Sequence, residues 1–153
     1  MYLTTTGKPS KILLKTCKDA IKFYGKTLLS ENLYHKVSIK LIFERLKKND
    51  GGIAFCEWVN KNDRPKEFII TVSNNLSKKE TLLAIGHEMV HVKQYANGEL
   101  KDYIKGSKYR YLNKIYDGDE IDYWSQPWER EARGMEMELY VKFCRSIPKV
   151  EKK

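Results

Sequence analysis

Residues 82–92 read Leu-Leu-Ala-Ile-Gly-His-Glu-Met-Val-His-Val, and no other stretch constrains this chain as strongly. On an α-helix, residues four apart stand one above the other, so His87 and His91 project from one face and can share a tetrahedral zinc ion. Glu88 lies beside them, suited to hold and deprotonate a metal-activated water. The flanks support a helix. Ser77 and Glu80 have the S-x-x-E spacing of a capping box, which starts the helix about two turns before His87. Asn97-Gly98 supplies a stop, giving roughly 20 helical residues with the H-E-x-x-H pattern in the middle. Just ahead, Phe68-Ile69-Ile70-Thr71-Val72 reads as a buried strand.

With 153 residues the chain amounts to one domain, large enough to bury a proper core without help from disulfides or metal. No apolar run approaches the ~20 residues of a membrane span, and the first ten residues lack a secretory h-region, so the expected compartment is intracellular, the cytoplasm. Cys17, Cys56 and Cys144 are too widely spaced for a metal knuckle and odd in number, which suits buried, reduced thiols. The net charge of +9 is uneven. Residues 1–76 carry 14 Lys and Arg against 7 Asp and Glu, a balance of +7, whereas residues 77–153 carry 15 against 13. That basic excess suits either a solvated lysine-rich surface or a contact with nucleic acid, an anionic membrane face or an acidic partner.

Along the chain, Pro9-Ser10 precedes Leu13, Leu14, Cys17, Ala20, Ile21, Tyr24 and Leu28, whose spacing predicts a helix ending near Ser30-Glu31-Asn32. His35 follows in isolation and reads as structural or solvated. Alternation from Val37 to Phe43 predicts a strand, Ile53 to Val59 a second and Phe68 to Val72 a third, in an antiparallel meander or mixed sheet. Residues 98–126 are rich in tyrosine and predict a small aromatic hairpin or ordered loop, with Asp117-Gly118 as the turn. One of these tyrosines is a possible donor to a transition-state oxyanion. Gln126-Pro127 opens a last helix whose buried stripe is Trp128, Ala132, Met135, Leu139 and Phe143, and Pro148 stops it.

Two pieces together resemble a zincin metallopeptidase: His87-Glu88-Met89-Val90-His91-Val92-Lys93-Gln94-Tyr95, and Pro127-Trp128-Glu129-Arg130-Glu131-Ala132. The pairing is similar to that of gluzincins, whose downstream helix carries E-x-x-[A/S]-D. It also resembles small phage-type and prokaryotic metallopeptidases related to SprT-like proteins, over roughly residues 66–145. The resemblance, with the elements read above, predicts a single α+β zincin-like domain over residues 1–148, and the residues beyond Pro148, 149–153, read as a disordered basic tail. It implies zinc as the cofactor, His87, His91 and Glu129 as ligands, and Glu88 as general base and later acid in hydrolysis of a protein or peptide substrate. Arg133 stands where a gluzincin has an aspartate that orients a ligand histidine, so the support of the histidines must differ here. No histidine follows His91, which leaves the third histidine of SprT-like proteases without a counterpart. Glu129 and Glu131 point about 200° apart on one helix, and Glu129 lies nearer the buried stripe. Glu131 is expected on the wetter side. Glu136 returns to nearly the face of Glu129 and is a candidate for supporting a ligand. The alternative is a nucleic-acid-binding or adaptor protein on a zincin scaffold, against which Glu88 argues, because a purely structural site has no use for it.

Overall fold

Residues 1–46, 52–59, 62–103 and 106–148 are described in the computed structural model, and they form an α+β fold. In chain order the elements are β1 (Tyr2–Thr6), α1 (Lys11–Leu28), α2 (Glu31–Lys36), β2 (Ser38–Glu44), β3 (Ala54–Trp58) and β4 (Glu67–Ser73). There follow α3 (Lys78–Asn97), β5 (Leu100–Asp102), β6 (Lys108–Tyr111), β7 (Lys114–Asp117), a 3-10 turn at Tyr123–Ser125, and α4 (Pro127–Ser146). The expected basic tail, residues 149–153, lies outside the described residues, as do residues 47–51 between β2 and β3.

The first sheet is mixed, in the order β1-β2-β4-β3, with β1, β2 and β4 parallel and β3 antiparallel to β4. The strands therefore do not form a meander, because β4 inserts between β2 and β3. Burial explains the order. Residues Phe68 and Ile70 to Ser73 of β4 are buried, which suits an inner strand, whereas β3 carries exposed Glu57 and takes the edge. The strand β1 was not expected from its polar start. Its threonines are β-branched and its outer position asks only Leu3 to meet the core. Ser30 also differs from expectation: its hydroxyl accepts from Leu33 N–H and starts α2 rather than ending α1. His35 sits exposed in the last turn of α2.

Helices α1, α3 and α4 form the layer over this sheet. Cys17, Ile21 and Tyr24 of α1 meet Leu82, Ile85 and Met89 of α3, together with Ala132, Leu139 and Phe143 of α4. Each fully buried leucine or isoleucine contributes about 1.5–3 kcal/mol. The Tyr24 hydroxyl, buried with them, donates to Leu82 O at 3.3 Å. Cys17 is buried and its thiol is pushed up to about 12 by that burial, but Cys144 is exposed, contrary to expectation. Among the described residues no helix is long and apolar enough to cross a membrane.

The aromatic segment is a three-stranded antiparallel sheet, β5-β6-β7, rather than a single hairpin. Its tight turn is Leu112-Asn113, with φ of 46° and 68°, not Asp117-Gly118. Gly118 instead follows β7 and donates to Ser107 O at 2.6 Å, so close to Tyr109 that a Cβ would lie 2.7 Å from its ring. Leu100, Tyr111 and Trp128 are the buried centre of a second cluster, bordered by Tyr95, Tyr109 and Tyr116.

Candidate metal centre

The centre begins with the two ends of α3. Ser77 and Glu80 make both hydrogen bonds of the capping box, and Gly98, with φ of 73°, closes the helix in the left-handed conformation that glycine adopts without strain. Between them α3 turns His87 and His91 toward α4, which starts with Pro127 in its first turn and brings Glu129 to meet them. His87 Nε2 lies 3.2 Å from Glu129 Oε2, His91 Nε2 lies 3.2 Å from Glu129 Oε1, and the two Nε2 atoms are 3.2 Å apart. Gly86 of α3 faces the Glu136 backbone of α4, where an added Cβ would make ordinary contact, 3.6 Å from Glu136 O.

The outer nitrogens fix the chemistry of the inner ones. His87 Nδ1–H donates to Glu136 Oε2 at 2.9 Å, and His91 Nδ1–H donates to Gln94 Oε1 at 2.8 Å. Gln94 is fully buried and its amide has one orientation only. Its nitrogen donates to Trp128 O at 3.0 Å and Glu131 Oε2 at 2.7 Å, both acceptors, so its oxygen must face His91. With Nδ1 protonated, a neutral ring presents a lone pair at Nε2. Two lone pairs and a carboxylate then converge at 3.2 Å, an arrangement that repels itself unless a cation lies among them. His87, His91 and Glu129 are thus a group that can hold a metal ion.

Without a metal, protons fill that role. Burial opposes a charged His87, but hydrogen bonds with Glu129 and Glu136 and the charge of Glu88 outweigh it and bring the pKa up to about 9. His91 is raised for similar reasons. Glu129 is held well below the usual carboxylate range: burial works against this, yet both histidines and the Tyr123 hydroxyl that faces it prevail. Glu88 is buried and its proton affinity is raised, by burial foremost.

Of the expected residues, His87, His91 and Glu129 come together, Glu88 lines the same hollow beside them, and Glu136 is the hydrogen-bond partner of His87 Nδ1. Glu131 does not face solvent as expected. Its half-buried carboxylate accepts from Lys93 Nζ at 2.7 Å, Gln94 Nε2 at 2.7 Å and Tyr111 OH at 2.8 Å, and so braces His91 through Gln94. Gln94 went unnoticed in the sequence. Its spacing, three residues after His91 on the same helical face, was the available signal. Arg133 orients neither histidine: it stacks 4.7 Å from the centre of the Trp124 ring, donates to Trp124 O at 2.6 Å, and so holds the turn carrying Tyr123.

Two hollows of about 350 and 450 Å³ flank the donors, and Gly52, Ala54, His87, Glu88 and Tyr123 line both. Together they make a groove between β3 on one side and the Tyr123–Gln126 turn on the other. Comparisons with protein-family models, curated proteins and solved structures find no match to the chain.

Proposed function

We propose that the protein is a zinc-dependent metallopeptidase. The observation that carries this reading is the meeting of three convergent donors with a buried carboxylate, Glu88, in one open groove. The two Nε2 atoms lie 3.2 Å apart and each lies 3.2 Å from a different oxygen of Glu129, so two imidazoles and one carboxylate would hold the ion, a donor set that suits zinc. Two imidazoles also disfavour magnesium and calcium, which prefer oxygen. Zinc, when bound by His87, His91 and Glu129, supplies a Lewis acid that acidifies water and polarises a carbonyl. Glu88 takes the proton of the attacking water and returns it to the leaving amine, a role favoured by its raised proton affinity. Tyr123 supplies a hydroxyl to the carbonyl oxygen as negative charge develops there. Among the described residues β3 is the edge strand that lines the groove, so its free backbone edge offers an extended peptide a partner beside the donors.

A polyanion-binding or adaptor role on the same scaffold is the second reading, favoured by the lysines of α1 and disfavoured by Glu88. The test is incubation of the purified, zinc-loaded protein with a mixed unfolded-protein substrate. New termini that form with zinc and disappear with chelator support the peptidase; an unchanged substrate in both arms refutes it.

A further inference from the structure

The larger hollow is walled by aromatic rings and ends at a carboxylate that takes no part in the metal centre. Trp58 of β3 packs against Tyr95 of α3 with ring centres 4.2 Å apart, and Tyr109 of β6 packs against Trp128 of α4 at 4.9 Å. Asp102 stands in register with Tyr109 across β5 and β6, so both side chains leave the same face of the small sheet, and both line the hollow. Among the described residues Asp102 has a single side-chain hydrogen bond, from Tyr95 OH at 2.9 Å, and no ion pair. Its carboxyl is raised by burial, the mark of a charge with too little compensation.

Aromatic faces with a carboxylate behind them recognise one kind of group. The rings cover an alkyl stem and attract a cation to their faces, and the carboxylate accepts its hydrogen bonds. A plain apolar residue has no use for Asp102, and an acidic one is repelled by it. We propose that this hollow is the recognition pocket for a basic side chain, lysine or arginine, of the peptide that lies along β3. The substrate class rests on the peptidase reading, but binding of a basic side chain does not require turnover. Asp102 is then a specificity-determining residue and not a catalytic one.

The test is isothermal titration of zinc-loaded Glu88→Gln protein with acetylated alanine hexapeptides in which one arginine moves through the six positions. Each has a counterpart with citrulline, which keeps the shape and loses the charge. At one position arginine should bind at least tenfold tighter than citrulline, and Asp102→Asn, which keeps an acceptor for Tyr95, should bring the pair within twofold. Equal binding of arginine and citrulline at every position overturns the pocket, as does a preference that survives in Asp102→Asn. The same arginine peptides given to the wild-type enzyme with and without chelator test the peptidase separately. Arginine-selective binding without chelator-sensitive cleavage keeps the pocket and removes the peptidase.

Discussion

At the scale of single residues, the donors are held by neighbours that never touch the metal position. Gln94 has no charge to contribute, yet it sets which nitrogen of His91 carries the proton, and Glu131 sets which way Gln94 points. Removing such support lowers metal affinity about 10–100-fold, so Gln94→Leu and Glu131→Ala should each bind zinc that much more weakly in competition with a chromophoric chelator. Wild-type affinity in both would mean that the histidines need no bracing. Glu129→Ala, by contrast, should lose stoichiometric zinc outright. The histidines also predict a pH dependence. In the metal-free protein His87 holds its proton up to about 9 against an ordinary 6.5, so its contribution is full below 6.5 and is lost as pH rises through 9. That loss is on the order of 3 kcal/mol. Glu129, held low, works in the other direction and costs stability as pH falls below its ordinary 4.5. Zinc replaces the protons, so the rise in Tm on adding zinc should widen between pH 6.5 and 9; a constant rise would contradict this electrostatic account.

At the scale of elements, α3 owes its position to its ends. Ser77→Ala removes a cap hydrogen bond and should cost about 1 kcal/mol in denaturant unfolding while leaving zinc affinity unchanged, because His87 lies well inside the helix. A fall in zinc affinity of tenfold would show that fraying reaches the donors. Gly98→Ala should cost at least as much, since φ is 73° and the added Cβ would meet Arg64 Nε at 2.9 Å. These ends were legible because capping is local chemistry, and so was α4, with Pro127 in its first turn and an apolar stripe behind it. The order of the first sheet was not legible. Whether β3 pairs with β2 or β4 depends on which strand the helices cover, a fact about distant residues. Leu112 escaped notice as a turn residue because leucine rarely adopts positive φ, while Asp117-Gly118 had the right residues in the wrong place. In the site, His87, Glu88 and His91 were legible from spacing alone. Glu131 was misjudged because helix geometry gives its direction but not the Tyr111 and Lys93 that meet it there.

At the scale of the whole molecule, charge and chemistry occupy different faces. Lys11, Lys15, Lys18, Lys22 and Lys26 recur every three or four residues along α1, opposite its buried Ala20, Ile21 and Tyr24. Any affinity for nucleic acid is expected on this stripe. It should fall steeply with salt, weaken in a Lys15→Glu, Lys22→Glu variant, and ignore Glu88→Gln. Absence of binding at low salt would leave the stripe as a solvated surface. The groove lies elsewhere, between β3, α3 and the turn that Arg133 holds, and there Glu88 lies beside the three donors. Glu88 adjoins His87 in sequence but is not one of the three convergent donors. The most direct test measures zinc content and cleavage of an unfolded-protein substrate for wild type and Glu88→Gln side by side. One zinc per chain is expected in both and hydrolysis in the wild type alone; cleavage by Glu88→Gln at the wild-type rate, or loss of its zinc, would overturn the role given to Glu88.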